Sequence, residues 1–151
     1  MQCTIRKMQK QDYDKVCDMM HALLRLHAVK SKYISKKYLE KFDAHREIKG
    51  RNKEILVALV DGDVAGYAYL SIEKSEVFFK FKKYLYLIDI YVDEKYQGGG
   101  VGRKLMKEAK KMAKRKGLHM FTRIFPFSKQ MLGLTSKEDG ELLHSTFIFP
   151  K

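Results

Sequence analysis

Gln97-Gly98-Gly99-Gly100-Val101-Gly102 lies between an apolar run and a basic one, and its reading decides the fold. Upstream, Tyr84-Leu85-Tyr86-Leu87-Ile88-Asp89-Ile90-Tyr91-Val92 is rich in β-branched and aromatic residues, which predicts a buried strand. Downstream, Val101, Leu105, Met106, Ala109, Met112 and Ala113 recur at helical spacing. Lys104, Lys107, Lys110, Lys111, Lys114 and Arg115 fill the opposite face. A glycine-rich turn thus feeds the N-terminus of a helix. Such an end offers unpaired backbone N–H groups and a positive dipole, and glycines let a ligand approach the backbone closely. The chemistry points to an anion site, phosphate above all.

Two familiar glycine patterns fail here. G-x-G-x-x-G started at Gly98 needs glycine where Arg103 stands, and the P-loop pattern G-x-x-x-x-G-K-[ST] is not met. The pattern Q/R-x-x-G-x-G/A does fit, as Gln97-x-x-Gly100-x-Gly102. A strand running into Tyr91-Val92-Asp93-Glu94-Lys95-Tyr96 precedes it, and a helix opening Val101-Gly102-Arg103-Lys104-Leu105-Met106 follows. Together these resemble the coenzyme A pyrophosphate loop of the GCN5-related N-acetyltransferase (GNAT) family. A glycine-rich strand-to-helix turn without a ligand is the alternative.

The chain has 151 residues and a 45% apolar share, which predicts a single domain over 1–151 with its own core. No apolar run is long enough for a bilayer, and the N-terminus lacks a signal peptide's apolar segment. Cys3 and Cys17 form neither a C-x-x-C pair nor a metal-ligand spacing. Reduced thiols in a cytoplasmic protein, and no metal, are the expectation. Lys and Arg number 31 against 18 Asp and Glu, a net charge of +13. The lysines are spread along the chain without glycine or aromatic interleaving, so nucleic-acid binding is the minor reading.

Along the chain, residues 1–6 read as a first strand. A helix carries Val16, Met19, Met20, Leu23 and Leu24, with Asp12 or Asp14 as N-cap. Ser35–Lys49 suits a second helix, with Tyr38, Leu39, Phe42 and Ile48 among charges. Residues 54–60 and 64–72 read as an antiparallel hairpin around Asp61-Gly62. Glu73–Lys83 is a charged connection, and Leu118–Phe125 a strand stopped by Pro126. This order matches the GNAT layout, and implies an α/β (α+β) fold: a mixed, mostly antiparallel sheet flanked by helices.

The resemblance implies an acetyl-CoA-dependent N-acetyltransferase acting on a primary amine of a small molecule or protein, by direct attack in a ternary complex. Within it, the pantetheine arm pairs with Ile90, Tyr91 and Val92 like an added strand. The pyrophosphate sits on the amides of Gln97, Gly98, Gly99, Gly100, Val101, Gly102 and Arg103, with Arg103 and Lys104 supplying charge. Many members use a carboxylate on the central strand as general base, some one position earlier, where this chain has Ile88. Asp89 is the only acid inside the strand, alternating with Ile88 and Ile90. Flanking isoleucines would raise its pKa toward a useful base, whereas a solvent-facing or loop-capping Asp89 would have no such role. Tyr67 and Tyr69 are candidates for the acceptor site, or ordinary sheet aromatics. The five histidines read as structural or exposed. The first two helices and Glu73–Lys83 are expected to shape the acceptor pocket.

The family usually closes with Asn, a helix bearing an acid tyrosine, Gly-Phe and a hairpin. Here Ser128 stands for the Asn and Gly133-Leu134 for Gly-Phe, with barely a helical turn between them and no tyrosine after Tyr96. That departure supports a rival reading, a coenzyme A-binding sensor or interaction module of the same fold. Residues 141–149 alternate as a last strand, whose edge could form a homodimer.

Overall fold

The computed structural model describes residues 2–151. Five strands form one sheet in the order β1-β2-β3-β4-β5: Cys3–Lys7, Lys53–Val60, Asp63–Lys74, Lys83–Val92 and His119–Thr122. The first four pair antiparallel, and β5 joins β4 in parallel. Asp61 and Gly62 both take positive φ, 50° and 92°, so the two-residue turn matches the strands' right-handed twist. The mixed, mostly antiparallel sheet is the one the sequence implied.

Helices cover both faces. Helix α1 (Tyr13–Lys30) lies on one face with α2 (Lys36–Lys41) and α3 (Ala44–Glu47), and α4 (Val101–Arg115) on the other. The predicted stripe of α4 is fully buried, against Leu56, Leu70, Leu85 and Leu87. Each such large side chain contributes about 1.5–3 kcal/mol. On the α1 side, Val16, Cys17, Met19 and Met20 pack on Val57, Tyr67 and Tyr69. Burial pushes the Cys17 thiol up to about 11, which leaves it inert.

Several local expectations give way. Asp12 precedes α1 but makes no side-chain cap to it; its carboxylate instead accepts from the Gln9 N–H at 2.7 Å in the 3-10 turn before the helix. Its buried carboxylate accepts from Arg6 at 2.6 and 3.1 Å, tying β1 to the helix. The helix expected over Ser35–Lys49 splits, because Ser35 and Asp43 each cap a separate start by accepting from Tyr38 N and Arg46 N. Leu118–Phe125 shortens to β5. The segment after Pro126 forms α5 (Lys129–Lys137), nine residues running straight through Gly133. Gly133-Leu134 therefore lies inside a helix rather than after one. The helix ends at Asp139, with φ 62°, and Gly140, whose N–H reaches the Thr135 carbonyl at 2.9 Å. Residues 141–149 form no strand, and Leu142, Phe147 and Phe149 stay exposed. β5 has only four residues, a short template for a further strand. No helix among the described residues is long and apolar enough to cross a membrane.

Candidate active site

The site begins where β4 outruns β5. Their pairing spans Tyr84–Leu87 and His119–Thr122, and Thr122 Oγ1 donates to the Leu87 carbonyl at 3.0 Å where they part. Beyond that point, residues 88–92 have no partner on this edge among the described residues. The β4 end is held from its other side: Asp93 N–H donates to Ala65 O at 2.9 Å. A Cβ on Gly66 would stand 2.4 Å from the Tyr91 carbonyl, so only glycine permits this approach.

From Val92 the chain enters the glycine loop. Gln97 Nε2 donates to the Val92 carbonyl at 2.9 Å and pins the loop to the strand end. Gly98 and Gly100 take φ of 78° and 79°, a left-handed region that costs other residues about 1–2 kcal/mol. The amides of residues 98–103 have no acceptor among the described residues. Hence the α4 N-terminus presents donors outward, as an anion cradle does. Gly102 is different: a Cβ there would make ordinary contacts with Val92 and Leu134 at 3.7 and 3.8 Å. Arg103 Nε donates to Glu138 Oε1 at 2.6 Å, so this side chain is clipped to the end of α5, while Lys104 is exposed. The open glycines, orphan amides and unpaired strand edge together fit a pantetheine-pyrophosphate ligand.

On the α1 face of the same strand end lies a cavity of about 130 Å³. Two carboxylates line it, Glu47 from α3 and Asp89 from β4. Tyr38, Phe42, Tyr69 and His27 supply aromatic walls, and Met20, Leu23, Leu24 and Ile88 the aliphatic ones. Tyr69 donates its hydroxyl to Glu47 Oε1 at 2.9 Å. Burial pushes the Asp89 carboxyl up to about 6. Burial lowers the pKa of His27, whose ring meets Phe125 and Phe127 edge-on at 5.3 and 5.8 Å.

Asp89 faces this cavity because of a β-bulge. Tyr69 pairs with Asp89 but Leu70 with Leu87, leaving Ile88 as the extra residue. Strict alternation would set Ile88 and Asp89 on opposite faces. Instead both line the cavity, while Leu87 and Ile90 join the α4 core.

The sequence thus located Asp89 and Tyr69, and the structure brings them together as cross-strand partners. Tyr67 does not line the cavity: it is wholly buried beneath, stacked on Tyr91, and its hydroxyl lacks a partner among the described residues. Glu73–Lys83 lies elsewhere, with Phe79 and Phe81 packed on Phe121. Glu47, Tyr38 and His27 were not singled out for this site. Asp43's capping position was the one local signal that α3, and hence Glu47, starts anew.

A sheet that splays at its fourth strand, with an anion cradle on one face and a half-buried carboxylate on the other, defines an acyl-coenzyme A transferase architecture. A family model described as "Acetyltransferase (GNAT) family" matches residues 18–135. The chain belongs to the GNAT family, as an acetyl-CoA-dependent N-acetyltransferase. Solved structures share its fold. A mutant of the BH1408 protein from Bacillus halodurans has TM-score 0.83 at 18% identity, covering 98% of this chain and 99% of that one. The aminoglycoside N-acetyltransferase AAC(6')-Iy in complex with CoA has TM-score 0.76 at 19% identity, covering 99% and 95%. An aminoglycoside acetyltransferase from an uncultured soil metagenomic sample, in complex with sisomicin, has TM-score 0.67 at 17% identity, covering 98% and 97%. No curated protein matches the chain in sequence.

Proposed function

We propose that this protein acetylates a primary amine by direct attack in a ternary complex, with Asp89 as general base. The observation that carries this is Asp89 in the cavity at the splayed end of β4, its pKa raised by burial to about 6. A carboxylate so tuned is ionised at neutral pH yet basic enough to accept a proton from an ammonium group. Bound acetyl-CoA supplies the thioester whose carbonyl carbon the amine attacks.

In this reading the free edge of Ile90, Tyr91 and Val92 holds the pantetheine arm. A backbone N–H there polarises the acetyl carbonyl. Gly98, Gly99, Gly100, Val101, Gly102 and Arg103 present their amides to the pyrophosphate, Lys104 adds charge from the surface, and Gln97, its own N–H given to the Glu94 carbonyl at 3.2 Å, anchors the loop. Asp89 takes one proton from the acceptor ammonium. The amine nitrogen then bonds to the acetyl carbon and gives up its second proton to water as the C–S bond breaks, while the sulfur leaves with the electron pair and takes a proton from water. α5 contains no tyrosine, so no tyrosine on that helix protonates the sulfur.

The test is release of free thiol from acetyl-CoA over a panel of amines, with coenzyme affinity measured by calorimetry. Turnover on at least one amine is expected. Tight coenzyme binding without turnover favours the sensor reading, and no coenzyme binding overturns both.

A further inference from the structure

The cavity's charge runs against that of the molecule. The chain carries +13 overall, yet the cavity wall holds two carboxylates and neither lysine nor arginine. Asp89 has no cationic or hydrogen-bonding partner among the described residues. Glu47 already shows how it holds a cation. Lys53, from outside the wall, sets its ammonium 3.5 Å from Glu47 Oε1 and 5.2 Å from the centre of the Tyr69 ring. A carboxylate beside an aromatic face is the arrangement that binds alkylammonium groups.

Shape narrows the ligand further. At about 130 Å³ the cavity is far below the roughly 300–1,000 Å³ of pockets that bury drug-sized molecules. Leu23, Leu24 and Ile88 give its wall aliphatic surface for methylene groups. A space of this size with aliphatic walls suits the methylenes of a short unbranched chain.

We propose that the acceptor is a linear alkyl diamine or polyamine, its reacting nitrogen at Asp89 and its second ammonium at Glu47 beside Tyr38 and Tyr69. This rests on the cavity being the acceptor site of the acetyl transfer. A peptide lysine is the disfavoured acceptor, since its side chain brings one ammonium where the wall offers two carboxylates.

The experiment compares linear α,ω-diamines with n-alkylamines of equal length and a lysine peptide, using the coenzyme A-loaded protein for calorimetry and thiol release for turnover. Diamines should bind about tenfold tighter or better than their monoamine counterparts, the worth of one charge-assisted contact. Glu47→Gln should collapse that ratio. Lys53→Met should raise diamine affinity severalfold, because it removes the internal ammonium that competes for Glu47; a merely structural role for Glu47 predicts no such gain. Equal affinity for diamines and monoamines, preference for the lysine peptide, or no gain in the Lys53→Met protein would overturn the proposal. Turnover without diamine preference sinks this inference and leaves acetyl transfer standing. Glu47-dependent diamine binding without thiol release overturns the acetyl transfer, and with it the acceptor role, while leaving a diamine site.

Discussion

The two sides of the β4 end are built from different materials. The glycine-loop side consists of consecutive backbone: Gly98 to Arg103 expose amides whose direction is set by positive φ at Gly98 and Gly100. The cavity side consists of side chains from α1, α2, α3, β3 and β4, which meet only after folding. A backbone cradle reads any pyrophosphate alike, so it suits the part of the reaction that stays constant. An assembled side-chain cavity can be rewritten one residue at a time, so it suits the part that varies.

The sharpest way to break this contrast is Asp89→Asn. Turnover should fall at least about a hundredfold, the usual weight of a general base, with coenzyme affinity nearly intact. Undiminished turnover removes Asp89 from the role. The same variant should be more stable at pH 7 by about 1–3 kcal/mol in denaturant titrations. The sign follows from a folded pKa of about 6, above the ordinary carboxylate value of 3.8. The native state holds its proton longer, so stability falls as pH rises between those values and then levels off.

On the other side, Gly100→Ala should weaken coenzyme binding about tenfold through roughly 1–2 kcal/mol of backbone strain, measured by calorimetry. Gly102→Ala, with room for its Cβ and φ in the helical range, should leave the melting temperature unchanged or slightly raised. Equal damage from both would mean the loop is not read through its backbone. Gly66→Ala strikes the support of both sides at once by pushing on the Tyr91 carbonyl, and should cost about 1–3 kcal/mol of stability. The mildest probe is pH: kcat/KM should climb to a plateau as Asp89 ionises near pH 6, and the Asp89→Asn protein should lack that rise.

What could be read in advance follows the same division. The strand, glycine loop and α4 were legible because each is a local pattern whose burial matched its period. Asp89 could be named as an acid in an apolar strand, but its facing could not. The bulge at Ile88 depends on how β4 meets β3. Glu47 looked like one more surface charge on an amphipathic segment, and became a cavity residue only when Asp43 broke that segment into two helices. Gly133 misled in the opposite direction. It carries little propensity for helix, yet Met131 and Leu134 pack on the α4-side core and hold α5 together through it.

The bulge also makes the seat of the proposed base two residues wide. Ile88 and Asp89 both open onto the cavity, so strand position alone does not decide which of them carries the acid. A lineage can move its base by one residue through exchanged substitutions, without rebuilding the strand. The reciprocal transposition Ile88→Asp with Asp89→Ile is therefore the shortest route by which this active site could drift while its chemistry persists. Position-by-position alignment would score such a drift as a lost base.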